Sequence, residues 1–366
     1  MTGGGPQQSA DFFRSDNSEG SEARTAVAAE AFMDMLEWME EGGQVGIFDA
    51  TNSTEERRGM LGRLAGDKCK IIFLESICTN AAVVEHNVAE KVRNSPDYVE
   101  QTDVEGAVAD FKARLAHYEA AYETVREGAC IKMIDMNSSA SSRMHINGIS
   151  GYLPGRIVFF LLNTHLAARP ILLTRHGESQ YNVRGRIGGD SPLSPSGERY
   201  ALKVAEFVRT RLAGESTASI WTSTLQRTVR TARHIHGFPK VHWRALDEIN
   251  AGVCDGMTYA EIKEGMAEEY VARKGDKLRY RYPRGESYLD VIQRLEPVII
   301  ELERQRAPVV VVAHQAILRA LYAYFMDKPL EQIPHIEVPL HTVIELTTGV
   351  SGVIEKRFQL MDPLAQ

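Results

Sequence analysis

ILLTRHGESQYNVRGRIGGDSPLSPSG, residues Ile171 to Gly197, sets how the rest of the chain reads. Its apolar start, Ile171-Leu172-Leu173, has the character of a buried parallel strand, and it turns polar at Thr174-Arg175-His176-Gly177-Glu178. In open α/β sheets ligands bind beyond the carboxyl ends of strands, which is where Arg175 and His176 fall. Gly177 is expected to let the backbone leave the strand sharply and to leave room beside the histidine for a ligand. Arg175, Arg184 and Arg186 add three guanidiniums suited to the oxygens of a phosphoryl group. A phosphate-handling site with a histidine at its centre is the expectation.

A second stretch has the same grammar. Pro308-Val309-Val310-Val311-Val312-Ala313-His314-Gln315 is an apolar run ending in a histidine. Two such strands delivering a histidine to one sheet edge are far less expected by chance than one. Between them, Ser194-Pro195-Ser196-Gly197-Glu198 opens a helix whose buried side is Ala201, Val204, Ala205, Val208 and Leu212. Ser219-Ile220-Trp221 reads as a strand, and Arg227 follows near a helix N-terminus, an anion-friendly position. Asp247 and Glu248 lie in an apolar setting, where a desolvated carboxyl could donate a proton to a leaving oxygen. From Tyr259 to Tyr288 the chain interleaves Arg273, Lys277, Arg279, Arg281 and Arg284 with Tyr280 and Tyr282, a composition suited to a second phosphate or a sugar phosphate.

The whole chain bounds these readings. Its 366 residues suffice for two domains, and 43% apolar with 25% charged residues is a globular composition. A net charge of −7 argues against a broad nucleic-acid surface. Cys69, Cys78, Cys130 and Cys254 form no C-x-x-C pair and read as reduced thiols. The apolar run Ile157–Leu162 is too short to cross a bilayer, and the polar start has no apolar core of a secretory signal. The cytoplasm is therefore the expected compartment.

Upstream, residues 1–23 are expected to be poorly ordered, and a helix from about Ala23 carries Phe32, Met35, Leu36 and Met39 on one face. Gln44 to Asn52 reads as a short strand ended by Asp49, and Ser53 with Glu56 as a capping box. Ile71–Ser76 and Ile131–Ile134 read as further strands. A helix carrying Phe111, Leu115, Tyr118 and Tyr122 lies between them, and another spans Ile157 to Leu166. This alternation predicts a parallel α/β sheet. Asp49 at a strand end could hold the Mg²⁺ of a nucleotide, but the phosphate cradle G-x-x-x-x-G-K-[ST] is absent from the sequence.

The set Arg175-His176-Gly177, Arg227, Glu248 and His314 resembles the histidine phosphatase superfamily, which includes the phosphoglycerate mutases. More closely, RHGESQYNVRGRIGGDSPLS, WTSTLQRT, ALDEINAGVCDGMTYAEI, KLRYRYPRGESYLDVIQRLEPVIIELERQ and AHQAILRALYAYF resemble the fructose-2,6-bisphosphatase domain, across essentially all of 170–362. GIFDATNSTEERR, FLESIC, SPDYVE, IKMIDM and SGYLPGRIVFFLLNTHL are similar to the later part of 6-phosphofructo-2-kinase, in wording nearest the plant and green-algal form. The resemblance implies an α/β chain of two domains. A partial P-loop-type kinase sheet at 24–167 would be followed by a phosphoglycerate mutase-like histidine phosphatase domain at 168–366.

The resemblance also implies roles. His176 would take the 2-phosphoryl group of fructose 2,6-bisphosphate as a phosphohistidine. Arg175, Arg227, Asn182 and His314 would surround it, and Glu248 would protonate the departing sugar oxygen and then activate water. Ile187, Gly188, Tyr259, Arg273, Lys277, Tyr288, Gln315 and Arg319 would bind the sugar and its 6-phosphate. No cofactor or metal is implied for this half; ATP and Mg²⁺ belong only to an intact kinase domain, of which Asp49, Thr51 and Asn52 match a retained end. Kinase activity is expected to be absent, with the first half left as a fragment of a bifunctional enzyme or as a regulatory or dimer-forming module. Fructose 2,6-bisphosphate is the expected partner, with neither nucleic acid nor membrane, and with room for a homo-oligomer. A phosphoglycerate mutase is the weaker rival, because the Tyr259–Tyr288 segment and the upstream kinase remnant have no purpose in it.

Overall fold

The computed structural model describes residues 17–94, 103–126, 128–136, 142–163, 169–349 and 352–362. Two units divide the chain, Met1–Leu162 and Asn163–Gln366. Leu166 and the SPDYVE motif fall outside the described residues.

The first unit holds α1 (Ser18–Glu40), α2 (Glu55–Ala65), β1 (Phe73–Ile77), α3 (Ala81–Asn94), α4 (Val104–Ala120), β2 (Cys130–Ile134), β3 (Arg143–Asn147) and α5 (Tyr152–Asn163). Helix α1 starts ahead of the predicted Ala23. Asn17 caps it by accepting from the Gly20 amide at 2.9 Å, a local bond that apolar periodicity cannot report. Phe32 and Leu36 are buried as their spacing predicts, against Leu61 and Ala65 of α2. The cap of α2 is Thr54 rather than Ser53; its hydroxyl accepts from the Arg57 amide at 3.2 Å.

Two larger differences concern the sheet. Residues 44–52 form no strand: Ile47 is 86% exposed, and an apolar run becomes a strand only where a neighbour takes its backbone groups. The sheet is also mixed, in the order β1-β2-β3, with β1·β2 parallel and β2·β3 antiparallel. Strand β3, Arg-Met-His-Ile-Asn, is a polar edge strand without the apolar run that marks a buried one.

The second unit runs β4 (Arg169–Arg175), α6 (Gln180–Val183), α7 (Pro195–Arg211), β5 (Ser219–Thr222), α8 (Gln226–Thr231), β6 (Lys240–His242), α9 (Tyr259–Gly265), α10 (Ala267–Gly275), α11 (Tyr288–Arg304), β7 (Val309–Ala313), α12 (Gln315–Phe325), β8 (Thr342–Gly349) and β9 (Gly352–Gln359). Its six-stranded sheet has the order β6-β5-β7-β4-β8-β9, parallel from β6 to β4 and antiparallel beyond. The central pair, β4 and β7, is buried on both faces, which is why both read as unbroken apolar runs. Leu172, Val310 and Val312 face α7, and Ile171, Leu173, Val309 and Val311 face α11 and α12. Arg175 pairs with Ala313 in register, so the next residue of each strand, His176 and His314, leaves the sheet at the same level.

Candidate active site

His176 follows β4 and is held by its backbone: its amide donates to the Ala313 carbonyl of β7 at 3.0 Å. Its ring Nδ1 lies 2.7 Å from the Gly177 carbonyl, which can only accept, so Nδ1 carries the proton. The lone pair is therefore on Nε2, the ring nitrogen left for the cavity that His176 lines. Burial, then the Arg227 and Arg175 guanidiniums, hold this imidazole well below the ordinary range, so it is neutral at pH 7. A neutral imidazole with an orientated lone pair is a competent nucleophile.

His314 is fully buried behind it, with ring centroids 5.1 Å apart. The Ser223 hydroxyl lies 2.8 Å from His314 Nε2, and it also accepts the Leu225 amide at 3.2 Å. His314 Nδ1 has no hydrogen-bond partner among the described residues. A buried polar atom without a partner costs free energy unless a ligand supplies one.

Three further groups complete this end. Arg175 reaches the Val338 carbonyl at 3.2 Å through one terminal nitrogen, and its Nε is buried without a partner among the described residues. Burial lowers it to about 10, with Glu248 opposing, so it stays charged at neutral pH. Arg227, buried at the start of α8, donates to the Gly189 carbonyl at 2.6 Å; burial lowers it as well, again opposed by Glu248. Glu248 lines the same cavity and takes the Ile249 and Ala316 amides on Oε1 at 2.9 and 3.3 Å. Its sequence neighbour Asp247 points elsewhere, accepting from the Thr224 amide and hydroxyl at 2.7 and 2.8 Å.

A second cluster of positive charge lies in the same cavity of about 150 Å³. Arg273 donates to the Tyr282 and Tyr259 hydroxyls at 2.7 Å each, with its guanidinium 4.6 Å from the Tyr259 ring centre. Arg319 donates to the Ile336 carbonyl at 2.7 Å and to the Tyr288 hydroxyl at 3.0 Å. Lys277 donates to the Pro334 carbonyl at 2.8 Å; burial, then Arg319 and Arg273, pushes its ammonium down to about 8. Three cations, none bonded to a carboxylate in the described residues, repel one another until an anion enters.

The cavity gathers thirteen of the fourteen phosphatase positions singled out in the sequence, from Arg175 and His176 through Asn182, Ile187, Gly188 and Gln315 to Arg319; His314 sits just behind it. Asn182 spends its amide oxygen on the Ser179 amide at 2.9 Å in the α6 cap, which leaves its NH₂ for a ligand. Several expectations are corrected. Arg184 is exposed and does not line the cavity, so the guanidiniums that share the cavity with His176 and hold its imidazole neutral are Arg175 and Arg227 rather than three along one loop. Arg186 lines the outer wall, bound to the Gly256 carbonyl and Glu261. Arg279 and Arg281 pair with Asp276 and Asp290, and neither they nor Arg284 line the cavity. Gly177 does not make room for a ligand: a Cβ there would meet the Gly197 carbonyl oxygen at 2.5 Å, so it serves the close approach of the loop to α7. Ser179, Tyr181, Ile249 and Ala251 also line the wall, residue types with no signal of their own in the sequence.

The first unit holds no comparable arrangement at Asp49, Thr51 and Asn52. Asp49 and Thr51 are exposed on irregular backbone, and Asn52 adopts φ +39° with its carbonyl accepting from Arg58 at 3.1 Å. With no strand to aim Asp49 and no phosphate cradle in the sequence, these residues do not fit a nucleotide and its Mg²⁺.

The family model for 6-phosphofructo-2-kinase matches residues 3–168, and that for the histidine phosphatase superfamily (branch 1) matches residues 171–359. An Arabidopsis thaliana protein named 6-phosphofructo-2-kinase/fructose-2,6-bisphosphatase is 69% identical over 358 residues, 98% of this chain and 48% of that protein. A Gallus gallus protein of the same name is 46% identical over 349 residues, 93% of this chain and 72% of that protein. Homo sapiens 6-phosphofructo-2-kinase/fructose-2,6-bisphosphatase 1 is 43% identical with the same coverage, 93% and 72%. The chain spans about half the length of the Arabidopsis relative, at 48%. No described helix is long and apolar enough to cross a membrane.

Proposed function

The chain belongs to the 6-phosphofructo-2-kinase/fructose-2,6-bisphosphatase family, and on that premise we propose that its second unit hydrolyses fructose 2,6-bisphosphate to fructose 6-phosphate and phosphate. The observation that carries this reading is one cavity with two separate anion sites, of which only one has a nucleophile. Arg175, Arg227 and His176 Nε2 take the 2-phosphate; Arg273, Lys277 and Arg319 take the 6-phosphate. The match of residues 3–168 to the 6-phosphofructo-2-kinase family model favours this reading over a phosphoglycerate mutase.

The reaction is two displacements at phosphorus. His176 Nε2 forms the N–P bond as the bond to the sugar's 2-oxygen breaks, and Glu248 gives that oxygen its proton. Nδ1–H bonded to the Gly177 carbonyl disperses the positive charge that grows on the ring. Arg175, Arg227 and the Asn182 NH₂ line the space for the three equatorial oxygens, and His314 Nδ1, buried just behind it without a partner among the described residues, would donate to them as well. His314 would donate there with its proton on Nδ1, the tautomer in which Nε2 accepts from the Ser223 hydroxyl 2.8 Å away. Glu248 then takes a proton from water, which attacks phosphorus and returns His176 to its starting state. The guanidiniums supply the positive charge that a metal ion supplies in other phosphoryl transferases, and we propose that this half needs no metal. Incubation with substrate labelled in the 2-phosphate, in the presence of a chelator, is expected to give an acid-labile phosphoprotein; no label, or label lost with the chelator, overturns the reading.

Lys277 sets a pH dependence of binding. In the free protein its ammonium is charged below about 8. The 6-phosphate dianion favours the charged form, so the complex titrates at higher pH, and affinity falls as pH rises from about 8 toward that value. KM is expected to climb by up to about tenfold per pH unit over this window, while Lys277→Met has a high, flat KM. A wild-type KM that stays constant from pH 7 to 9.5 contradicts this.

For the first unit we propose that these 366 residues by themselves do not phosphorylate fructose 6-phosphate, because the sequence offers no phosphate cradle. Formation of fructose 2,6-bisphosphate from ATP and fructose 6-phosphate, measured on a His176→Ala chain so that product survives, would overturn this. The cytoplasm is the proposed compartment, supported by four free cysteines.

A further inference from the structure

We propose that Arg294 and Glu286 form a clamp that positions Glu248 for proton transfer, an assignment that rests on the phosphatase reading above. Glu248 sits on irregular backbone, residues 247–250, just after a short turn of 3₁₀ helix. Such a segment has no ladder of its own to fix a side chain. Arg294 supplies the missing partners from α11. One terminal nitrogen donates to the Ala245 carbonyl, and the other to the Asp247 carbonyl at 2.7 Å and the Glu248 carbonyl at 3.4 Å. The guanidinium is itself gripped by Glu286, Nε to Oε1 at 2.8 Å and the second terminal nitrogen to Oε2 at 3.0 Å. Glu286 Oε2 closes the ring by accepting the Asn250 amide at 2.9 Å, and the Glu286 amide donates to the Asn250 carbonyl at 2.9 Å.

The clamp therefore touches both sides of Glu248 and none of the reacting atoms. It stands on a stiff base: α11 is capped by Ser287 and Asp290, and buries Val291, Leu295 and Val298 on either side of Arg294. The same helix begins with Tyr288, the hydroxyl of which takes Arg319 at the second anion site. One rigid element thus fixes the distance between the proton donor and the 6-phosphate, which is what in-line chemistry on a doubly anchored sugar requires. Only a planar fork can serve three carbonyls and a carboxylate together, so a lysine there is not equivalent.

Arg294→Met keeps the aliphatic stem and removes the fork. Single-turnover phosphorylation of His176 by fructose 2,6-bisphosphate is expected to slow about 100-fold, with KM within threefold, as for a catalytic group displaced by about 1 Å. Phosphorylation by p-nitrophenyl phosphate, the leaving group of which needs no proton, should change less than threefold. Arg294→Lys is expected to recover only part of the loss. Glu286→Gln keeps one acceptor oxygen and sets an NH₂ donor against the N–H groups of Arg294 or Asn250, and should slow the sugar reaction on the order of tenfold, which decides the matter if Arg294→Met does not fold. Equal losses with both phosphates, or unchanged rates in folded Glu286→Gln and Arg294→Met, overturn the clamp alone. Absence of phosphohistidine in the wild type from either donor overturns the phosphatase reading instead.

Discussion

His176→Ala is expected to turn over fructose 2,6-bisphosphate at least about 10⁴-fold more slowly and to carry no acid-labile label. The loss is this large because nothing else near the 2-phosphate is a free nucleophile of the right kind. His314 is 5.1 Å away between ring centres, but its Nε2 is taken by Ser223 and its ring is wholly buried. Arg175 and Arg227 remain to bind the phosphoryl group, so substrate affinity should survive better than turnover. The fold should survive too, since His176 is held by a backbone bond to Ala313 that alanine can make. Label retained at wild-type level in His176→Ala, or found on His314, would sink the assignment of the nucleophile.

Glu248→Gln is the second large effect. The amide oxygen can still accept from the Ile249 and Ala316 amides, so geometry is kept while the proton is lost. Phosphorylation of His176 by the sugar bisphosphate is expected to slow by about 10²–10⁴-fold. Water attack on the phosphohistidine should slow as well, because the same carboxylate is the base. With p-nitrophenyl phosphate the first step needs no acid, so phosphoenzyme should form at near wild-type rate and then accumulate. A variant that hydrolyses both substrates at the wild-type rate would remove Glu248 from the mechanism.

Most of the phosphatase site is legible in the amino-acid sequence because its parts sit at the ends of strongly apolar runs. Ile171–Leu173 and Val309–Val312 each lead into a histidine, and both runs form buried strands, which the structure pairs as β4 and β7. Arg273, Lys277 and Tyr288 are legible as an unusual local composition. Arg184, Arg279, Arg281 and Arg284 carry the same signal without sharing the cavity, since composition cannot say which side of a turn faces inward. In the first unit the run around Ile47 misleads for a related reason. A strand is defined by its neighbour, and that neighbour is not a property of the run.

By itself the sequence determined the two α/β units, the buried central strands of the second, and the kinds of group that meet at their ends. Tertiary structure decided which nitrogen of His176 is free, because that depends on the Gly177 carbonyl 2.7 Å away. It also decided that Asp247 and Glu248 part company, and that Arg294, in a helix beyond the basic segment, holds the backbone on which Glu248 stands. Apolar periodicity is a local record of burial and so survives in one dimension. Hydrogen-bond partners distant in sequence do not, because a carbonyl looks the same in every residue until the fold brings a donor to it.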